Sequence, residues 1–192
     1  MIHSMGTVFT PRRMRITVDR YQQMVAAGVL TPSDRVELIE GEILDRAPIS
    51  PSHAAVTGRL VKRLVFDLGD AATVRAANPI DLGSFSEPEP DLLVLRPRAD
   101  DFLRAHPQAE DVLLLIEVAD TSLTFDQGAK RELYARFGVS EYWVVDVNGR
   151  RIFAYLAPSE GAFQRSREYL VDETISPQAF PEVKLAVREL LA

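Results

Sequence analysis

Hydrophobic and polar residues along this chain follow two patterns, a repeat of about 3.6 residues that predicts helices and short apolar runs that predict strands. A helix is expected from Thr17 to Gly28, because threonine can cap the start of a helix and glycine can end it. A longer helix is expected from Ser50-Pro51 to Gly69, since proline suits the first helical turn. Its apolar residues repeat every four positions: Val56, Leu60, Leu64 and Leu68.

Strands are predicted in two hairpins and in two strongly apolar runs. The dipeptides Glu40-Gly41 and Asn148-Gly149 each predict a tight hairpin turn, because glycine suits the positive φ that such a turn requires. The apolar runs Leu92–Leu95 and Val112–Val118 predict buried strands. A weaker pattern from Thr73 to Phe85 predicts a further strand.

A polar segment, residues 97–108, separates the two apolar runs and predicts an insertion shaped like a lid. Beyond the second run, apolar spacing predicts a helix from Asp126 to Phe137. The apolar residues of segment 181–192 predict either a docking helix or an oligomer contact. Because helices and strands alternate throughout, we predict an α/β fold with a central mixed β-sheet flanked by α-helices.

The length of 192 residues is expected to give one domain, since a single core of this size can bury about 70% of the surface of the unfolded chain. We predict that residues 1–16 form an N-terminal extension, residues 17–156 the core, and residues 157–192 a C-terminal strand and helix. The sequence has no run of roughly 18 apolar residues and no secretory signal pattern. A cytoplasmic protein that does not enter the membrane is therefore expected.

Composition limits the chemistry that the chain can perform. The absence of cysteine excludes disulfides, thiol nucleophiles and cysteine-based metal centres. The three histidines, His3, His53 and His106, are far apart in sequence, so a metal ion would be held mainly by oxygen, which favours Mg²⁺, Mn²⁺ or Ca²⁺. The net charge of −6 gives no overall attraction for nucleic acid, so DNA binding would depend on local patches.

Two carboxylates stand out at the ends of the apolar runs. Glu117 interrupts the second run, where an ionised carboxylate needs a cation, a metal ion or several donors. Asp91 opens the first run, so the two carboxylates converge at one edge of the sheet if the strands pair. A divalent ion would relieve their repulsion, and Lys130 on the following helix could stabilise negative charge. This combination predicts phosphodiester hydrolysis.

Separate structural roles are the alternative for each of these residues. Asp91 could simply begin a strand, and Glu117 could pair with a buried arginine. Lys130 could form a surface ion pair with Asp126, four residues earlier, which would contribute little to stability.

Several short segments, spread over about residues 17 to 156, together carry a family resemblance through their order and spacing. They are Arg35–Glu42, Ser50–His53, Pro90–Leu92, Ile116–Val118, Asp126–Lys130, Tyr134, Gly138–Val139 and Glu141–Asp146. With these segments the chain resembles the Uma family of putative restriction endonucleases, within the PD-(D/E)XK nuclease superfamily.

The resemblance implies a restriction-endonuclease-like core in which Asp91 and Glu117 are metal ligands. The superfamily pattern has a lysine two positions after this glutamate, but Ala119 stands there, and the family pattern implies Lys130 as the active lysine instead. Lys130 can reach the strand ends only if its face of the helix points inward. Tyr134, on the same face, is expected to be a packing residue.

Three further candidates lie on the first hairpin and at the start of the second helix. Glu37 and Glu42 could each add an acidic contact, as the family pattern suggests, or remain solvated edge charges. His53 could contact substrate phosphate, help to activate water, or act as a capping or interface residue. A basic helix face could contact a phosphate backbone or merely be solvated: Arg59, Lys62 and Arg63.

The function that the resemblance implies is that of an endonuclease, which uses Mg²⁺ or Mn²⁺ to hydrolyse phosphodiester bonds in DNA. A homodimer is expected, because cutting both strands favours two sites. Two other functions stay open, namely a non-catalytic nuclease-like module that binds protein or nucleic acid, and a hydrolase of nucleotides or other small phosphate esters. The sequence does not distinguish DNA from RNA as the target.

Overall fold

The computed structural model describes residues 12–192, so residues 1–11 of the predicted N-terminal extension lie outside the described part. The fold is α/β, with a central mixed β-sheet of six strands flanked by helices. The helices are α1 (Val18–Ala26), α2 (Pro51–Leu68), α3 (Leu123–Phe125), α4 (Arg131–Arg136) and α5 (Val187–Leu190). The strands are β1 (Val36–Ile39), β2 (Glu42–Asp45), β3 (Thr73–Ala76), β4 (Leu92–Leu95), β5 (Val112–Ala119), β6 (Glu141–Asp146), β7 (Arg151–Ser159), β8 (Ala162–Leu170), β9 (Thr174–Ile175) and β10 (Leu185–Ala186).

The strands of the central sheet are ordered β3-β4-β5-β6-β7-β8. All neighbours are antiparallel except β5 and β6, which are parallel. A parallel pair needs a crossover connection, and α3, a π-helical turn (Asp126–Lys130) and α4 form it without interruption. The two remaining sheets are the hairpin of β1 and β2 and the short pair of β9 and β10. Within residues 12–192, no helix combines the length and apolarity needed to cross a membrane.

The predicted starts of α1 and α2 and both predicted hairpins are confirmed, and local interactions explain them. The side chains of Thr17 and Ser50 cap α1 and α2 by accepting hydrogen bonds from backbone N–H groups, at 3.3 Å and 3.1 Å. In the first hairpin Glu40 and Gly41 both have positive φ, 51° and 83°, as a two-residue turn with the twist of the strands requires. The hairpin of β6 and β7 also forms and pairs Asp146 with Arg151, but its connection is the four residues 147–150, and the positive φ of 52° lies at Arg150 and not at Gly149, so the predicted tight turn is wrong in its detail.

Other elements differ from the predictions in extent. The strand expected from Thr73 to Phe85 stops at Ala76, because Ala77 takes a positive φ of 50° and Pro79 has no N–H to donate to a ladder. The helix expected from Asp126 begins at Leu123 and contains the π-helical turn. Of the two predictions for segment 181–192, the docking helix is the one observed, since Val187 and Leu190 of α5 are buried.

Each face of the sheet carries its own hydrophobic cluster. Because side chains alternate along a strand, β5 contributes Leu114 and Ile116 to one cluster and Leu115 to the other. The first cluster includes the inward residues of α2 and the C-terminal residues, and the second includes Leu133 and Tyr134 of α4. Glu117 follows the alternation of Leu115, so its side chain belongs to the α4 face of the sheet.

The packing of α2 makes a direct prediction for Leu60, which is fully buried in the first cluster. Leu60→Ala is expected to lower the free energy of unfolding by about 2–5 kcal/mol, because it removes buried methyl groups and leaves a cavity. Urea unfolding followed by the fluorescence of Trp143, the one tryptophan, measures the change. Val65→Ala on the same helix is the control, since Val65 is 52% exposed and its truncation should change stability by less than about 0.5 kcal/mol.

A second prediction concerns Glu141 at the start of β6, a buried carboxylate that accepts hydrogen bonds from Trp143 Nε1 at 2.7 Å and from Gln178 N at 2.6 Å. Burial raises the pKa of Glu141 from 4.5 to about 7, although the two hydrogen bonds oppose the shift. The folded state then binds this proton more tightly than the unfolded state does. Folding stability is therefore expected to fall as the pH rises from 4.5 to 7, by up to about 1.4 kcal/mol for each pH unit.

Glu141→Gln removes the titration, so the native protein should lose stability relative to this variant across that pH window. Urea unfolding of both proteins at intervals from pH 4.5 to 8 gives the difference in their free energies of unfolding. A difference that stays constant with pH would contradict the prediction.

Candidate active site

A cleft of about 390 Å³ opens where the ends of β4 and β5 meet the first hairpin, the start of α2 and the π-helical turn. The cleft brings together four of the five predicted catalytic residues: Asp91, Glu117, Lys130 and His53. Its other lining residues are Arg35, Glu37, Asp45, Arg46, Ala47, Pro48, Ile49, Val118, Asp120, Thr121, Ser122, Phe125 and Asp126. The segment 97–108 contributes none of these residues, so it is not a lid over this cleft.

Strand register sets the two predicted metal ligands side by side. Leu92 of β4 pairs with Ile116 of β5, and the same antiparallel register carried one residue further sets Asp91 opposite Glu117. Asp91 Oδ2 accepts a hydrogen bond from Val118 N at 2.8 Å, which fixes the aspartate against the adjoining strand. The convergence that the sequence predicted is therefore produced by ordinary antiparallel pairing.

Glu117 is held in the cleft by two side chains from the crossover helix. Its Oε1 atom lies 3.0 Å from Lys130 Nζ and accepts a hydrogen bond from the Tyr134 hydroxyl at 2.8 Å. Burial raises the pKa of Glu117 above its usual range, while the charge of Lys130 opposes the shift. Tyr134 was expected only to pack, and its hydroxyl in fact contacts the predicted metal ligand.

Lys130 is 5% exposed and lies between two carboxylates, with its Nζ atom 3.0 Å from Glu117 Oε1 and 3.0 Å from Glu37 Oε1. Burial alone would lower the pKa of Lys130, but these carboxylates raise it above its usual range. The lysine is therefore a fixed positive charge at neutral pH. The condition that its helical face points inward is met.

The π-helical turn explains how three side chains of the crossover point into the structure. In a regular α-helix, residues eight apart, such as Asp126 and Tyr134, are offset by about 80° around the axis. A π turn contains about one residue more than an α turn, so eight residues that include one π turn make close to two whole turns. The first and last of these residues then point to the same side of the helix. Asp126, Lys130 and Tyr134 are accordingly all buried.

Asp91 has partners on both sides of the cleft. His53 Nε2 lies 3.1 Å from its Oδ2 atom, and Arg46 lies 3.8 Å from Oδ1. Burial would raise the pKa of Asp91, but the contacts from His53 and Val118 N outweigh it and keep the pKa below the usual range. Asp91 is therefore an ionised carboxylate, and His53 contacts it instead of standing free at the helix end.

The structure separates the two glutamates of the first hairpin. Glu37 is 3% exposed and lines the cleft, whereas Glu42 is exposed, lies outside the cleft and forms an ion pair with Arg13 at 3.0 Å. Both belong to the same face of the hairpin, because Glu37 pairs with Leu44 and Glu42 with Ile39. Glu42 lies next to the turn. Glu37 lies two residues farther from the turn, at the level of Leu44, where the hairpin contacts Lys130 of the crossover helix. The structure thus places Glu37 in the cleft and Glu42 outside it, and the catalytic role of Glu42 stays a prediction.

Arg46 and Asp120 also line the cleft and were not singled out in the sequence. Arg46 follows β2 and pairs with Glu89 Oε1 at 2.9 Å, and Asp120 follows β5. Asp120 accepts hydrogen bonds from Ser50 and Ser52 at the start of α2. Their one sequence signal is their position directly after a predicted strand, where side chains of neighbouring elements meet.

The predicted basic face of α2 lies outside the cleft and is partly engaged elsewhere. Arg63 pairs with Asp67 at 3.0 Å, and Arg59 donates to the carbonyl of Leu190 at 3.4 Å. Of the three, Lys62 is exposed, whereas Arg59 and Arg63 are partly buried. Among residues 12–192, no three side chains of the His, Asp and Glu types are grouped so that they could hold a metal ion together.

A solved structure shares the fold of this chain. The crystal structure at 1.96 Å resolution of a putative nuclease belonging to DUF820, from Anabaena variabilis ATCC 29413, matches the chain with a TM-score of 0.74 at 17% sequence identity. The match covers 92% of this chain and 97% of that one. The fold is therefore restriction-endonuclease-like.

A family model identifies the family to which the chain belongs. The Uma2 model, described as "Putative restriction endonuclease", matches residues 18–188, and the chain belongs to this family. The membership supports a nuclease as the class of function. No curated protein matches the chain.

The cap of α2 makes a testable prediction, because it fixes the start of the helix that carries His53. Ser50→Ala removes the side-chain acceptor of His53 N and is expected to lower the free energy of unfolding by about 1 kcal/mol. Urea unfolding measures this change. Ser52→Ala is the matched control, since Ser52 also donates to Asp120 but caps nothing, and an equal loss in both variants would contradict the capping role.

Proposed function

We propose that the protein is a divalent-cation-dependent endonuclease that hydrolyses phosphodiester bonds in DNA. The observation that carries the proposal is the placement of Asp91, which directly precedes β4, and Glu117, near the end of β5, in one cleft, with Lys130 Nζ 3.0 Å from Glu117 Oε1. Membership of the Uma2 family supports the same class of reaction. In this proposal Asp91 and Glu117 are the metal ligands, and Lys130 and His53 are further catalytic residues.

The donor set of the cleft fits Mg²⁺ or Mn²⁺. Magnesium usually takes one or two protein carboxylates and completes its shell with water and phosphate oxygens. The pair Asp91 and Glu117 is therefore enough to bind it, and a cluster of three protein ligands is not required. The lining also carries six carboxylates against three permanently positive side chains, Arg35, Arg46 and Lys130. Such a cleft repels a phosphodiester unless cations enter it. When bound, the metal ion would polarise the phosphoryl group and lower the pKa of a water molecule.

Lys130 supplies a positive charge to the reacting phosphate. Because Glu117 and Glu37 hold its pKa above the usual range, it remains an ammonium group and does not act as the general base. An ammonium group fixed by two carboxylates stabilises negative charge that develops on phosphate oxygens without having to reorient. We assign it this role in place of the superfamily lysine, where this chain has Ala119.

His53 brings an imidazole ring into the cleft, and the two ring nitrogens can donate and accept hydrogen bonds. It lies at the start of α2, within 3.1 Å of Asp91 Oδ2, so the aspartate orients the imidazole ring. We propose that His53 contacts the scissile phosphate or the attacking water. We further propose a homodimer, because two copies of the cleft would be required to cut both strands of a duplex in one encounter.

Plasmid cleavage tests the proposed function. Supercoiled plasmid is incubated with the native protein and with Asp91→Asn, Glu117→Gln and Lys130→Gln, each with Mg²⁺, with Mn²⁺ and with EDTA. The native protein should nick or linearise the plasmid only with a divalent ion, and each variant should lose at least about 100-fold in rate, because each removes a group that stabilises the transition state.

Matched controls and other substrates decide between the alternatives. Asp70→Asn and Lys184→Gln alter exposed residues outside the cleft and should cut at the native rate. Full activity in the three cleft variants would refute the site. Hydrolysis of nucleotides without plasmid cleavage would favour a small-ester hydrolase, and metal-independent DNA binding without any hydrolysis would favour a non-catalytic module.

A further inference from the structure

The carboxylate of Glu37 connects two parts of the cleft that are far apart in sequence. Its Oε1 atom lies 3.0 Å from Lys130 Nζ on the crossover helix. Its Oε2 atom accepts a hydrogen bond at 3.1 Å from the backbone N–H of Glu89, two residues before Asp91. One side chain thus contacts both the ammonium group and the segment that delivers the aspartate.

The backbone of β1 is itself fixed against that segment. Glu87 N donates to Leu38 O at 2.8 Å, and β1 pairs with β2 through Glu37 and Leu44. Leu38 is fully buried, so the strand that carries Glu37 cannot shift without exposing core surface. The carboxylate therefore has a defined position from which to hold its two partners.

The ammonium group of Lys130 needs a second carboxylate to fix its position, because the lysine side chain is long and flexible. Its ammonium group ends a flexible four-carbon stem that has many rotamers, and a single carboxylate leaves the group free to turn about that contact. Two carboxylates at equal distances of 3.0 Å restrict it from two sides. Since a buried charge requires compensation, the second carboxylate also offsets part of the desolvation of the lysine.

We propose that Glu37 is a positioning residue of the nuclease site: it holds Lys130 beside Glu117 with one oxygen and the backbone before Asp91 with the other. This inference rests on the proposed function. The residue acts through Lys130 and Asp91 and does not itself contact the phosphate. Loss of such a supporting contact typically costs 10- to 100-fold in activity, by analogy with the outer contacts of metal ligands.

Amine labelling tests the position of Lys130 independently of catalysis. The chain has three lysines, Lys62, Lys130 and Lys184, and both of the others are exposed and serve as internal references. An amine-reactive reagent is applied to the folded protein, and mass spectrometry gives the labelling rate at each lysine. In Glu37→Gln the rate at Lys130 should rise at least about tenfold relative to Lys184, because the ammonium group has lost one of its two carboxylates.

The matched control is Glu40→Gln, which makes the same change on the same hairpin. Glu40 is exposed and pairs with Arg136 at 2.8 Å outside the cleft, so labelling of Lys130 and plasmid cleavage should both stay at the native level. In Glu37→Gln, kcat for plasmid cleavage should fall about 10- to 100-fold, with KM changed by less than about threefold.

A second variant covers the case in which Glu37→Gln does not fold. Glu37→Asp keeps the charge but is one methylene shorter, so it cannot reach both partners and should give intermediate labelling and intermediate kcat. Unchanged labelling of Lys130 in a folded Glu37→Gln, or in Glu37→Asp if only that variant folds, would overturn the inference. So would increased labelling with a native kcat.

The two proposals can fail separately. If the native protein cleaves no phosphodiester, the proposed function fails, whereas the labelling rates still show whether Glu37 holds Lys130. If the native protein cleaves and Glu37→Gln cleaves equally fast, the nuclease proposal stands and the positioning role of Glu37 is wrong.

Discussion

The cost of burying Glu117 governs the arrangement of the whole cleft. A carboxylate inside an apolar strand requires partners that the strand itself cannot provide, and here they come from the crossover helix as Lys130 and Tyr134. The buried lysine in turn requires a second carboxylate, which the first hairpin supplies as Glu37. Each charge thus determines the position of the next element, and the hairpin, the sheet and the crossover are tied together by a short series of polar contacts.

The elements that depend on local chemistry could be predicted from the sequence. Helix starts at Thr17 and Ser50 follow from side chains that accept backbone hydrogen bonds nearby, and the first hairpin turn follows from Gly41. The pairing of Asp91 with Glu117 was also predictable, since Asp91 precedes one apolar run and Glu117 lies at the end of the next, and antiparallel pairing brings the start of one strand beside the end of the other.

Features that depend on distant packing could not be predicted in this way. Glu37 and Glu42 share a hairpin face, and only the contact with the crossover helix buries the first and leaves the second in solvent. The π-helical turn has only five residues, so the spacing of its apolar residues in the sequence does not distinguish it from an α-helix. The hydroxyl contact of Tyr134 likewise depends on that turn, since the spacing of apolar residues shows only that the ring is buried.

The exposed strand β8 limits how copies of this chain can associate. It ends the central sheet, and its nine residues expose Arg165, Arg167 and Glu168 along an edge whose backbone is otherwise free to bond to another chain. Charged side chains on such an edge disfavour continued strand addition and hence the growth of ordered aggregates. Self-association through this edge would require the charged side chains of two copies to pack together, so the composition of β8 disfavours fibre-like stacking.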